Sequence, residues 1–365
     1  MPSDSTFRML KKYEETAPVS GFLASMFQTP PENFHDNEKV TVDVVRSDSR
    51  VAVPLPQMGN SSLVGTRHVE RTKYQNKEFT PPTYDTSVEI TSFNSFKRAP
   101  GVDPFDPNAP MFKSLVLETM SSVRMVDEMT RRGVELQCAQ VLTTGKIDLR
   151  DSTNTSMFVL DYVPKATHFA TAGTSWTAAG AGDPEGDLSA LGEVIRRDGK
   201  KNPTQAIFGR LAIQYLLANT KIRANLNLWN VNVGSIQPVA KKGNGAMFHG
   251  VIQLGTEMIE LWSYKETYLD PITGNLLPYI PDNKVIFRAP DGRLDLTYGS
   301  IPTILPPDSR LANFMPSRLS DASTGLDVSI NAYVSLNNKN LTVEVGTRAL
   351  AIPTAIDTYG CLTVF

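Results

Sequence analysis

Between Pro110 and Gly145 the chain has no proline and a single glycine, Gly133, so no strong breaker interrupts a helix there. Apolar or small residues recur at Phe112, Val116, Met120, Val123, Val126, Thr130, Val134, Cys138 and Val141. Those steps of three and four draw one stripe along a 3.6-residue period. Lys113, Glu118, Arg124, Glu128, Arg131 and Glu135 fall largely off the stripe. Gly145 supplies the stop expected just past a helix end. A helix of this length spans roughly 50 Å, more than a compact 100-residue domain needs. It either joins two lobes or is a backbone on which sheets are laid. A long core helix in any large α+β protein would read the same way.

With 365 residues and 41% hydrophobic content the chain can bury a substantial core, divided between two or more lobes. Its 36 basic and 38 acidic residues nearly cancel, which disfavours a groove or channel for nucleic acid. Cys138 and Cys361 have no paired spacing for zinc or a disulfide framework, so folding in a reduced, intracellular setting is expected. Nothing resembles a signal peptide or a membrane span, and no membrane partner is expected.

Along the chain, residues 1–40 form an arm with a small apolar knot of Phe22, Leu23, Met26 and Phe27. Alternation of Val42, Val44 and Val51, Val53 predicts a hairpin turned at residues 46–50. Residues 57–85 are polar, carry Arg67, Arg71, Lys73 and Lys77, and end at Pro81-Pro82. A loop that long is either functional or disordered. SVEITSF then alternates as a strand towards DPFDPNAP, the proline-rich lead-in to the helix. Past the helix, IDLRDS and TSMFVLDYV predict an antiparallel pair. THFATAGTSWTAAGAGDPEG reads as a linker, with Asp187 as N-cap of LSALGEVIRRDGKK. Pro203 and the stretch from Phe208 to Asn225 point to two more helices. Residues 246–301 are β-rich, and DVSINAYVSL and LTVEVGTRALAIP are strands that should pair near the long helix.

No catalytic constellation accompanies this pattern. His35, His68, His168 and His249 lie in four separate segments without metal-ligand spacing, so no metal is expected. Gly180, Gly182 and Gly186 lack both phosphate-loop patterns, and Pro104, Pro107 and Pro110 exclude a calcium loop from DPFDPNAP. There is no nucleophile elbow. Glu257 and Glu260 are a carboxylate pair in an alternating strand, where a solvated face is the simpler role. No catalytic residue, cofactor or enzyme activity is expected; an enzyme would have to work through the 246–301 lobe.

The order of arm, hairpin with polar tip, long helix, helix-and-sheet lobe and returning strands resembles the lambda-type capsid protein E family, major capsid proteins of tailed bacteriophages. GFLASMF followed by NEKVTVDVV, with Glu38, Lys39 and Val40, resembles the family's docking segment and first strand. EITSFNSFKRAPGVDPFDPNAP resembles its lead-in to the spine helix. A late hairpin carries the match at Tyr264, Tyr268, Gly274, Pro281, Asp282, Asn283, Val285 and Ile286. Residues 165–245 match least well.

The resemblance implies an α+β, Hong Kong 97-type capsid fold. Its parts would be an N-terminal arm at 1–40, an extended hairpin loop at 41–92, a peripheral domain at 93–165 with the spine helix at about 110–145, an axial domain at 166–325, and returning peripheral strands at 326–365. It implies a major capsid protein of the virion, assembled in the host bacterial cytoplasm. Hexamers and pentamers of this chain would form an icosahedral shell around double-stranded DNA, touched only weakly and without sequence preference. Phe22, Leu23, Met26, Phe27, Arg67, Arg71, Lys73 and Lys77 become candidates for contact between subunits. Partners would include a portal, with room for a decoration protein. About 40 residues before the first hairpin leave no space for a fused scaffolding segment, so a separate scaffolding protein is expected. Lys73 and Lys77 are the lysines to consider for cross-links between subunits. The competing assignment is another virion structural protein, such as a minor head or tail component.

Overall fold

The computed structural model describes residues 21–35, 39–45, 74–91, 111–177, 182–220, 222, 242–243, 245–254, 257–300, 329–334 and 340–365. Among the described residues, 3-10 turns at Ala24–Met26 and Pro31–Asn33 precede strands β1 (Val40–Val45), β2 (Tyr74–Phe79) and β3 (Tyr84–Thr91). Helix α1 (Met111–Thr144) follows, then β4 (Lys146–Arg150), β5 (Ser156–Asp161) and β6 (Phe169–Thr171). Next come α2 (Pro184–Gly199), β7 (Gln205–Phe208), α3 (Arg210–Ala218) and β8 (Lys242–Gly243). The β-rich stretch is β9 (Ala246–Leu254), β10 (Glu257–Tyr264), β11 (Thr267–Leu269), β12 (Leu276–Pro278), β13 (Lys284–Arg288) and β14 (Asp295–Tyr298). The chain closes with β15 (Ser329–Val334), β16 (Asn340–Thr347), β17 (Ala349–Ile352) and β18 (Tyr359–Thr363).

The long helix is present over 34 residues, about 51 Å. Gly145 ends it in the left-handed region, φ +70°, its N–H donating to the Val141 carbonyl at 2.9 Å. Val126, Thr130, Val134, Cys138 and Val141 of the stripe are buried. Leu142, Gln137 and Glu135 are buried too, so the last turns are enclosed on more than one face. Glu135, like Asp127, therefore departs from the solvent-side placement expected of the helix's charges.

A seven-stranded mixed sheet, ordered β6-β18-β13-β7-β10-β9-β8, forms the centre. Successive residues of a strand face opposite sides, and the two apolar clusters follow that rule. Ile207 and Ile286 belong to the cluster containing Val141 and Leu142 of α1. Their neighbours Ala206, Phe208, Val285 and Phe287 belong to the cluster with Leu188, Leu191 and Ile195 of α2 and Ala212 and Ile213 of α3. The sheet is thus covered on both faces, which explains why its inner strands read as continuous apolar runs.

A second sheet, β15-β16-β3, is wholly antiparallel. It lies against α1, where the Tyr84 hydroxyl and Gln137 Nε2 are 2.6 Å apart. Gln137 also serves β17, donating to the Ala349 carbonyl and accepting from Ala351 N–H. The returning strands therefore do pair beside the helix, as their alternation predicts, and β4 and β5 form the predicted antiparallel pair.

Strand β1 pairs with β2, Val42 opposite Lys77; the expected hairpin with Val51 and Val53 lies outside the described residues. Several other local expectations are corrected. The polar stretch 57–85 contains β2 and the start of β3 instead of loop throughout. The expected linker contributes β6 to the sheet edge and buries Trp176. Helix α2 starts at Pro184 after Asp183, and Asp187 in its first turn accepts the Trp176 indole N–H at 2.8 Å. Phe208 ends strand β7; the helix begins at Arg210.

Candidate functional site

The apolar knot of the arm cannot cover itself, and its sequence promises a receiving surface. That surface is in the same chain. Leu23 is fully buried, Phe22 and Phe27 nearly so, and Met26 packs partly buried against the same cluster. The Phe22 ring lies 5.6 Å from Trp262 and 5.5 Å from Tyr264 on β10. Further along, Gln28 bridges to Asp295 and Phe34 to Tyr298, laying residues 28–34 beside β14. Phe34 stacks on Tyr298 with ring centres 5.1 Å apart. Strand β14 pairs with β17 on its other side, so the arm protects an edge that would otherwise be open.

Glu135 fixes the start of this docking. Its Oε1 accepts from Leu23 N–H and its Oε2 from Ala24 N–H, both at 2.8 Å. The Tyr264 hydroxyl donates to Oε1 at 2.7 Å. The carboxylate thus occupies the open N–H groups of the short 3-10 turn at Ala24–Met26. Burial pushes the Glu135 carboxyl above its ordinary value, against the downward pull of these three hydrogen bonds. A Cβ at Gly21 would lie 1.9 Å from Glu135 Oε2, so a larger residue there would have to displace the carboxylate from its donors.

The other candidate contact residues are differently placed. Lys77 stands on β2, while Arg67, Arg71 and Lys73 lie outside the described residues. The sequence reading sought cover for Phe22, Leu23, Met26 and Phe27 on a neighbouring subunit; one chain already buries most of their surface. Glu135 went unnoticed in the sequence because a glutamate on a helix normally faces water.

Among the described residues no group of three or more His, Cys, Asp or Glu side chains could hold a metal ion. His249 Nε2 lies 2.7 Å from Ser263 Oγ, and burial, then the Lys265 charge, lowers its imidazole's affinity for a proton. His68 is outside the described residues. Glu257 pairs with Arg196 at 3.2 Å and Glu260 accepts from the Trp262 indole, so this carboxylate pair is tied to neighbouring side chains. The described thiols, Cys138 and Cys361, are buried and free; burial pushes Cys361 up to about 12.

Asp198, near the end of α2, gathers a charged cluster. Lys165 Nζ lies 3.0 Å away, Arg197 Nε 3.2 Å and buried His168 Nε2 3.4 Å, while His168 Nδ1 donates to the Tyr359 carbonyl at 2.8 Å. Burial works to raise the Asp198 carboxyl, but hydrogen bonds from Lys165 and Arg197 overcome it and bring it down to about 2, from an ordinary 3.8. The folded carboxyl is more acidic than the unfolded one, so its stabilisation is full above pH 4 and is lost as pH falls towards 2. Asp198→Asn is expected to lower the melting temperature by a few degrees at pH 7 and to flatten the acid limb. Thermal melts from pH 7 to pH 2 check this, the two curves converging at the acid end.

The model of the family described as Phage major capsid protein E matches residues 5–363. No curated protein matches the sequence. The crystal structure assigned as the capsid protein of a prophage from E. coli CFT073 superposes with a TM-score of 0.64 at 15% identity, over 100% of this chain and 99% of that one. A phage-related protein from Bordetella bronchiseptica RB50 superposes with a TM-score of 0.52 at 10% identity, over 98% of this chain and 95% of that one. At such identities the superpositions speak to fold, and the family match to membership. With nearly every residue inside that match, the chain belongs to the phage major capsid protein E family, has the α+β Hong Kong 97-type fold, and is a structural protein of the phage capsid and so a component of the virion.

Proposed function

We propose that this chain self-assembles into the hexamers and pentamers of an icosahedral head shell that encloses double-stranded phage DNA. The observation that carries this is the family match across residues 5–363 on a chain of the corresponding fold. The domain layout we propose has the arm at 1–40, an extended hairpin at 41–92, a peripheral body around α1, and an axial body at 166–325. The segment 326–365 supplies returning strands to the peripheral body, and its last strand, β18, crosses into the axial body by hydrogen-bonding to β13 and β6.

In this layout the arm acts inside its own subunit. By tying residues 21–35 to α1, β10 and β14, it makes the N-terminal side of the subunit rigid, so that contacts with neighbours meet a preformed surface. Near-neutral charge suits a container that must hold DNA without gripping it. A separate scaffolding protein and a portal complete the proposed assembly, which takes place in the host cytoplasm, and we assign the chain no catalytic role. Arg67, Arg71, Lys73 and Lys77 remain our candidates on the extended hairpin for reaching a neighbour.

Quantitative mass spectrometry of purified particles tests the proposal by counting copies of this chain per packaged genome. Hundreds of copies are expected. A dozen or fewer would make it a minor head or tail component instead.

A further inference from the structure

Strands β11 and β12 form a two-stranded sheet of their own, joined by a turn that its own side chain locks. Asp270 Oδ2 accepts from Thr273 N–H and from Thr273 Oγ1, at 3.1 and 2.7 Å. The Asp270 N–H donates to the Asn275 carbonyl and its own carbonyl accepts from Gly274, which sits at φ +67°. At the base, Tyr268 packs on Tyr279 with ring centres 5.2 Å apart, anchoring one face of the hairpin to the core.

The other face is apolar and open. Leu269 and Leu276 are directly opposite each other and are 65% and 68% exposed, with Ile272 at the tip 39% exposed. Asp270 is the only charged residue from Thr267 to Pro278, and its carboxylate is occupied by the turn. Solvated hairpins normally guard their edges with lysine, other charges or proline. Here β12 carries Pro278, but the Leu269–Leu276 pair has no charged side chain on either strand, and among the described residues neither strand has a second partner.

We infer that this hairpin is a contact between subunits, and that its occupant is a second copy of this chain; the inference rests on the shell function proposed above. Three observations select that occupant. Two leucines and an isoleucine make a small open aliphatic surface, well short of the ~800 Å² per partner in a standard stable complex. A contact so small has little effect alone but becomes effective when every subunit of a closed assembly repeats it. No lysine or arginine stands between Thr267 and Pro278, and exposed Lys265 is the one cation beside the base, which disfavours DNA and anionic lipid as occupants, since both need clustered lysine or arginine. The locked turn presents the leucines in one geometry, so little ordering cost remains at association.

The test is Leu269→Lys combined with Leu276→Glu, which keeps a favourable opposite-charge pair across the strands and leaves the buried face alone. Sedimentation velocity of the purified chain at rising concentration is read beside its thermal melt. The expected result is an unchanged melt with the assembly threshold raised at least tenfold. A variant that assembles at the wild-type concentration overturns the hairpin contact and leaves the shell function intact. If wild-type chain stays monomeric without its scaffolding protein, the comparison is read on particles from cells, where variant chain entering shells as wild type does overturns the second copy as occupant, while the copy count in particles decides the shell function separately. Variant shells that form normally but lose another virion protein would likewise overturn the assignment to a second copy.

Discussion

Glu135→Ala is expected to destabilise the subunit by about 3–5 kcal/mol, because removal of one buried carboxylate leaves several donors without partners. Leu23 N–H, Ala24 N–H and the Tyr264 hydroxyl all point at it. Leu23 is fully buried beside it, so water cannot readily replace the lost acceptors. The loss is not confined to α1. Once the turn at Ala24–Met26 is loosened, Phe22 has less to hold it against Trp262 and Tyr264, and the strand-like run beside β14 loses its anchor. Chemical denaturation should show the fall, and limited proteolysis should show cleavage near residues 21–35 well before the rest of the chain.

Glu135→Gln separates hydrogen bonding from charge. Its amide oxygen can still accept from one N–H, but its NH2 group faces the other, donor against donor, so a smaller loss is expected. The pH dependence has a definite sign. A carboxyl raised in the folded state binds its proton more tightly there than in the unfolded chain. Stability from this site is therefore greatest below about pH 4.5 and declines as pH rises through the raised folded value. Both variants should lack that slope, and wild-type denaturation that shows no decline from it would contradict the burial argument.

What could be read from the sequence followed from periodicity. Helix α1 and its glycine stop were legible because unbroken spacing leaves few alternatives, and β3 and β16 because half-buried strands alternate. Glu135 was not legible: its partners lie in the arm and on β10, and nothing near it in sequence distinguishes it from Glu128, a solvent-side helix charge paired with Arg124 and Arg132. Phe208 was misread because Ala206, Ile207 and Phe208 run straight into the apolar residues of α3; a short apolar run does not by itself say strand or helix. Trp176 sat among small polar residues that read as a loop, and only the folded chain brings the side chain of Asp187 to its indole.

A chain ending before Tyr359 is expected to be insoluble on expression, the most severe outcome of any change considered for this fold. Strand β18 is bordered on both sides, antiparallel to β13 and parallel to β6, so its loss opens two ladders at once. It buries Tyr359, Cys361 and Leu362, and Val364 follows it into the core. At roughly 1.5–3 kcal/mol for a large apolar side chain, those losses together match the ~5–15 kcal/mol that holds a typical folded protein together. The hydroxyl of Tyr359 also reaches the Val141 carbonyl, tying the sheet to the end of α1. Gly360→Ala offers a milder form of the same test, since its Cβ would lie 2.6 Å from the His168 carbonyl oxygen, which is backbone and cannot swing aside. It should lower the melting temperature while the protein stays soluble. Soluble, cooperatively melting protein from the truncated chain would mean that the central sheet closes without β18, and that the two apolar clusters do not depend on it.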